Sequence, residues 1–184
     1  MFDIPCVILA GGKSSRMKED KCFLSFKNKT LIQYQYDRLK KFFPDIYISS
    51  KTNKFPFDCN LILENEDLFS PLIALNKILN TIKKNKVFII TVDTPNVSIQ
   101  SIQTIINKSE KFDISIALTP DNKTHNLCGV FSKNIKTEIK TMLNDNNHRI
   151  GFLIKKSNSQ NIFINNNDEF ININTKEDYK IISQ

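Results

Sequence analysis

The chain has 184 residues, 40% hydrophobic and 24% charged, a composition that suits a soluble globular protein long enough to bury a core. No window approaches the roughly 18 continuous apolar residues of a membrane span, and Asp3 with a short apolar run speaks against a signal peptide, so a cytoplasmic protein without a membrane partner is expected. The formal charge of +7 comes from dispersed lysines with no aromatic interleaving, which speaks against a nucleic-acid partner.

In chain order, "CVILA" (6–10) is a short apolar run ending at Gly11-Gly12, as expected of a strand buried on both faces. "TLIQYQYDRLKKFF" (30–43) carries Ile32, Tyr36, Leu39 and Phe43 at helical spacing, with Thr30 as its cap. Strands are expected at 45–49 and 60–64, then a helix over 70–85 with Pro71 in its first turn. "KVFIITVD" (86–93) is the most hydrophobic strand, followed by a helix at 98–108 and a strand at 113–118. A strand at 126–132, helices at 134–145 and 148–156, and two short strands at 161–165 and 170–174 come next. Thr175 and Asp178 stand in capping-box positions for a final helix over 175–183.

Strands alternating with helices predict one three-layer α/β/α domain across residues 1–184, with a mostly parallel, Rossmann-like sheet and an antiparallel strand in its C-terminal half. Cys6, Cys22, Cys59 and Cys128 form no CxxC pair and read as reduced core thiols.

In such a sheet, ligands collect beyond the carboxyl ends of the strands, where the strand order reverses. Gly11 and Gly12 fall at that edge, where a missing Cβ admits a ligand and lets φ become positive. Free amides, the Ser14 and Ser15 hydroxyls, and the Arg16 and Lys21 cations together suit a polyphosphate. The loop is not a Walker A motif, because the position five before Gly12 is Val7, and it is not a G-x-G-x-x-G fingerprint. Asp93 closes the strongest strand at the same edge. It is either a hard ligand for Mg²⁺ shared with phosphates or a cap for the turn that follows.

"LAGGKSSRMKEDK" resembles the signature L-A-G-G-x-S-x-R-M-G-x-x-K of the NTP-transferase family, in its molybdenum cofactor guanylyltransferase (MobA-type) branch. Leu9, Ala10, Gly11, Gly12, Ser14, Arg16, Met17 and Lys21 match, and Lys18 stands where the family often has glycine. "DTP" at Asp93 resembles the family's metal-binding strand end. "SPL" (70–72) resembles its G-P-L segment with Ser70 for glycine, and "FININTKEDY" (170–179) its N-x-N-T-P-E-D-L ending.

The resemblance implies transfer of GMP from GTP to the terminal phosphate of molybdopterin, with pyrophosphate released. It assigns nucleotide contacts to Leu9, Ala10, Gly11, Gly12, Ser14, Lys21 and Asp93, catalysis to Arg16, Lys21 and Asp93, and Mg²⁺ to Asp93. It makes Asn172 and Asn174 candidates near the metal or acceptor and turns His125 toward the acceptor; Arg149 is a further acceptor-side candidate, because a pterin phosphate needs donors. Asn65 occupies the place of an aspartate that helps bind guanine. An amide cannot pair with guanine as an anion, so Glu64 or Glu66 substitutes, or base selection is weaker. A cytidylyltransferase of the same superfamily, acting on molybdopterin or a sugar-like phosphate, is one alternative, and a non-catalytic nucleotide-binding module another. A monomer is expected, and transient docking to cofactor synthesis or insertion proteins stays open.

Overall fold

The computed structural model describes residues 1–11, 20–64, 68 and 70–182. The chain enters through β1 (Cys6–Leu9), whose four side chains are all buried. A short hairpin, β2 (Ser25–Phe26) and β3 (Lys29–Thr30), leads into α1 (Leu31–Lys40), then β4 (Ile46–Ser50) and β5 (Asn60–Leu63). Next come α2 (Pro71–Thr81), β6 (Lys86–Thr91), α3 (Ile99–Lys108), β7 (Ile114–Leu118) and β8 (Thr124–Ser132). The chain closes with α4 (Lys136–Asn144), α5 (Ile150–Lys156), β9 (Ser159–Phe163) and α6 (Lys176–Ile182).

Seven strands form one sheet in the order β5-β4-β1-β6-β8-β7-β9. The ladders β5–β4, β4–β1, β1–β6 and β7–β9 are parallel, while β8 runs antiparallel to both β6 and β7. This is the mostly parallel sheet with an antiparallel C-terminal strand that the alternation predicts. From β1 the chain builds outward through β4 and β5, then crosses to the other side of β1 to lay down β6. The order therefore reverses between β1 and β6, which pair in register as Leu9 with Thr91.

Strand alternation divides the core into two layers. Cys6 and Ile8 of β1, with Phe88 and Ile90 of β6, face Leu31, Ile32 and Leu39 of α1 and Ile102 and Ile105 of α3. Val7, Leu9, Val87 and Ile89 face Leu72, Leu75, Ile78 and Leu79 of α2, together with Ile139 of α4 and Leu153 of α5. Each fully buried aliphatic side chain contributes roughly 1.5–3 kcal/mol by leaving water. No helix among the described residues is long and apolar enough to cross a membrane.

Helix ends follow local chemistry. Ser70 caps α2 by accepting from Leu72 N at 3.2 Å, with Pro71 following as the first helical residue. The predicted capping box of α6 is present: Asp178 N donates to Thr175 Oγ1 at 3.1 Å and Thr175 N donates to Asp178 Oδ2 at 2.8 Å. Thr30 precedes α1 in extended conformation but makes no side-chain cap bond. Helix α2 ends at Thr81, short of the predicted 85, because Ile82 turns to an extended ψ of 135° and buries its side chain.

The predicted strand at 170–174 does not form. Asp168–Phe170 is a single 3-10 turn, and the residues after it run across the strand ends, tied by Ile173 N to Asp93 O at 2.9 Å. The hairpin between β2 and β3 has no sequence forecast. It turns through Lys27 and Asn28 at positive φ, without a glycine.

Candidate active site

A cleft of about 370 Å³ opens at the carboxyl ends of β1 and β6, where the strand order reverses. Its walls come from Leu9, Ala10 and Gly11 after β1, Asp20 to Cys22, Glu64, the start of α2, and Thr91 to Asp93 after β6.

Lys21 reaches into the cleft and joins its two sides. Its Nζ donates to Asn174 Oδ1 at 2.8 Å and meets Asp93 Oδ2 at 3.3 Å, an ion pair with both side chains under 20% exposed. The backbone bond from Ile173 to Asp93 holds the 172–174 segment against the end of β6. Two oxygens here lack a donor. Asp93 Oδ1 and Asn172 Oδ1 are buried without a hydrogen-bond partner among the described residues. A buried carboxylate oxygen left unpaired is costly, and hard anionic or amide oxygens beside a polyphosphate site are the donor type Mg²⁺ takes. Among the described residues no three His, Cys, Asp or Glu side chains cluster as metal ligands.

A second cluster surrounds Gly11. A Cβ built on Gly11 would lie 3.2 Å from Glu64 Oε1, so this glycine matters for close approach. It does not adopt the positive φ expected of it, since none of the described glycines does. Glu64 is 6% exposed, and its Oε1 accepts a hydrogen bond from Ser49 Oγ at 2.8 Å.

Of the predicted site residues, Leu9, Ala10, Gly11, Lys21 and Asp93 line the cleft; Asn174 shares Lys21 with Asp93, and Asn172 precedes Ile173, whose amide bonds the Asp93 carbonyl. Gly12, Ser14, Arg16 and Asn65 lie outside the described residues. His125 and Arg149 are not among the cleft-lining residues. The His125 ring packs on Phe170 with centroids 4.4 Å apart, and its Nε2 bonds Thr119 Oγ1 at 3.0 Å, so it ties the β7–β8 connection to the 168–170 turn. Burial, and next the Lys123 charge, push its pKa down. Arg149 is exposed at the entry to α5.

Sequence reasoning missed the brace behind Asp93. Gln35, fully buried on α1, donates from Nε2 to Thr91 O at 3.3 Å and Thr94 O at 3.1 Å, the two carbonyls that bracket the turn bearing Asp93. Arg38 fixes the amide, with Nε donating to Gln35 Oε1 at 2.7 Å and Nη1 to Val97 O at 2.8 Å. The available signal was a polar residue three positions after Ile32, on the core-facing stripe of the helix. Replacing Gln35 with Leu strands the Thr94 carbonyl, while the Thr91 carbonyl keeps the bond from the Thr94 hydroxyl at 3.1 Å. We expect a loss of about 2 kcal/mol in thermal or urea unfolding, with weaker nucleotide binding in the variant that still folds. Unchanged stability would show that water takes over the bond to Thr94 O.

A doubly wound sheet with its cleft at the switch point, a lysine–aspartate pair across it and unpaired hard oxygens beside them defines an α/β protein built to handle a phosphorylated ligand. Comparisons with known proteins narrow the class. The description "MobA-like NTP transferase domain" matches residues 6–160, and the chain belongs to that family. It is 37% identical to the molybdenum cofactor guanylyltransferase of Campylobacter jejuni subsp. doylei over 181 residues, covering 97% of this chain and 94% of that one. It is 35% identical to the protein of that name from Helicobacter pylori strain 26695, over 99% of this chain and 92% of the relative. The fold also matches the crystal structure of molybdopterin-guanine dinucleotide biosynthesis protein A from Archaeoglobus fulgidus. There the TM-score is 0.84 at 15% identity, covering 98% of this chain and 97% of the other.

Proposed function

We propose that this protein transfers GMP from GTP to the terminal phosphate of molybdopterin, releasing pyrophosphate. The observation that carries the reading is the Lys21–Asp93–Asn174 cluster in the switch-point cleft of a chain whose relatives over nearly its whole length are named guanylyltransferases. An oxygen of the acceptor phosphate attacks the α-phosphorus, a new P–O bond forms, and the bond to the β-phosphate oxygen breaks with its electron pair leaving on pyrophosphate. The attacking oxygen is already anionic, so no side-chain base is required.

The chain's own groups then have defined work. Lys21 Nζ donates to the polyphosphate and offsets the charge gathering on the leaving group. Its neighbours Asp93 and Asn174 aim the ammonium. The amides around Gly11 and Gly12, with Ser14 and Arg16, contact the nucleotide. Asp93 Oδ1 and Asn172 Oδ1 would hold Mg²⁺, which supplies Lewis-acid charge neutralisation when bound. Glu64, beside Gly11, offers a buried carboxylate to the N1–H and N2–H donors of guanine, the role Asn65 cannot fill as an anion. Cytosine presents no such pair of adjacent donors, which favours the guanylyl reading over the cytidylyl one.

The test is thermal unfolding with Mg²⁺ and each of GTP, CTP, ATP and UTP, followed by transfer to molybdopterin. A nucleotide at 100 times its Kd adds about 2.7 kcal/mol, or roughly 5–10 °C for a chain of this length. GTP alone is expected to produce the shift, and the GTP-dependent product to be the dinucleotide with one pyrophosphate per transfer. A shift with CTP alone would move the protein to the cytidylyl alternative.

A further inference from the structure

The nucleotide cleft contains a carboxylate that its proposed ligand should repel. Asp20 lines the cleft one residue before Lys21, which the reading above assigns to the polyphosphate. Its Oδ1 accepts from Cys22 N at 3.0 Å, capping the 3-10 turn Lys21–Phe23 that carries the Lys21 side chain. Burial works against its ionisation, but the hydrogen bonds from Lys54 and from the Cys22 amide outweigh that and hold the carboxyl below its usual value. Asp20 therefore stays anionic where a triphosphate must approach.

Lys54 answers this charge from the other side of the cleft wall. It sits in the segment after β4, and its ammonium pairs with Asp20 Oδ2. Two aromatic rings hold it there. Lys54 Nζ lies 5.8 Å from the centroids of both Phe23 and Phe55, whose own centroids are 6.4 Å apart. Phe23 follows Lys21 on the same turn, and Phe55 follows Lys54 and is buried. The cation is thus fixed by one carboxylate and two π faces. The side chains of Lys54 and Asp20 are only 26% and 36% exposed, so solvent screens them less than a surface pair.

We infer that Lys54 is a positioning residue of the nucleotide site, acting through Asp20: it neutralises that carboxylate so that Lys21 and its turn can present net positive charge to a polyphosphate. The inference rests on the nucleotide reading above. The pair keeps Asp20 available as the cap of the Lys21 turn while removing its repulsion.

Charge restoration separates this role from a purely mechanical latch. Lys54→Met keeps the aliphatic stem against the two rings and removes the charge. Calorimetric titration with Mg²⁺ and GTP is expected to show about tenfold weaker binding, the size of one uncompensated charge near the ligand. Asp20→Asn retains the cap, since asparagine caps as well as aspartate. The double variant Asp20→Asn/Lys54→Met restores the net charge of the pair and is therefore expected to recover affinity to within about threefold of wild type, whereas loss of a mechanical latch would not be reversed. Lys54→Arg, which preserves the cation, should bind like wild type.

Melting temperatures of all four proteins show whether each is folded. If Lys54→Met does not fold, the double variant and Lys54→Arg carry the test by the same expectations. A double variant that binds no better than Lys54→Met, or a Lys54→Met protein with wild-type affinity, would overturn the inference while leaving the nucleotide reading intact. A wild-type protein that binds none of the four nucleotides would remove the reading itself, and this inference with it.

Discussion

Replacing Asp93 with alanine is expected to reduce guanylyl transfer by roughly 100- to 1,000-fold or more, the range seen when one preorganised charge-stabilising group is lost, while the protein stays folded. Asp93 follows the fully buried run Val87–Ile90, yet its own carboxylate contributes little to packing. One oxygen pairs with Lys21 and the other has no partner among the described residues, a placement that serves a ligand better than it serves the fold. The Asp93 carbonyl still accepts from Ile173 in the variant, and Gln35 still spans the Thr91 and Thr94 carbonyls, so the turn keeps its shape. Asp93→Asn supplies the sharper comparison. It preserves volume but replaces an anionic ligand with a neutral one, and it should be nearly as inactive. Transfer rates at saturating GTP and Mg²⁺, alongside far-UV circular dichroism melts, measure both halves. A rate within threefold of wild type in the alanine variant would take Asp93 out of the reaction.

Gly129→Ala should have the largest effect on stability. A Cβ at that position would stand 2.2 Å from Ser115 O and 3.0 Å from Ile116 Cα, both backbone atoms of the neighbouring strand. Neither can rotate away. The pairing of β7 with β8 shifts register at Ile116/Ala117, and Gly129 faces Ile116 at the edge of that irregularity while also pairing with Ile89 of β6. Relief requires spreading three strands at the middle of the sheet, at a cost of about 3 kcal/mol or more, a fall of roughly 6–12 °C in Tm. Gly151→Ala, in α5, makes the control, because its Cβ would meet only Asn126 Nδ2 of β8 at 3.8 Å, an ordinary contact. There alanine should stabilise the helix by up to about 1 kcal/mol. Equal melting temperatures for the two variants would mean that the sheet yields at Gly129 more readily than its backbone contacts indicate.

The parts of this molecule that were readable from sequence are those where one physical cause writes one pattern. Continuous apolar runs announced β1 and β6, because strands covered on both faces have no polar side to show. Ser70-Pro71 and the Thr175–Asp178 pair marked helix starts through the donors they satisfy. The 170–174 segment misled because its alternation has a different origin. Ile171, Asn172, Ile173 and Asn174 alternate in type, but the buried positions are Phe170 and Ile173, three apart, at 2% and 0% exposure, so the burial lacks a strand's period of two. The hairpin at Lys27 and Asn28 was invisible because its left-handed turn uses no glycine.

The site divides the same way. Gly11, Lys21 and Asp93 stood out by spacing and by their place at strand ends, and all three line the cleft. Glu64 was one of two acids named as a substitute for Asn65, and the fold buries it beside Gly11. Gln35, Arg38 and Lys54 act on the site from elements remote in sequence. Nothing local in the chain records which carbonyl or carboxylate they will meet.

The position of β8 between β6 and β7 has a consequence for the growing chain. Until residues 124–132 emerge, the most apolar strand of the sheet, the one leading to Asp93, is paired on one side only, through β1. Its other flank is a row of unpaired amides and carbonyls on fully buried residues, the kind of edge that recruits a neighbouring polypeptide. Fragments ending before β8 should therefore associate with one another, through the edge of the strand that carries one wall of the nucleotide cleft.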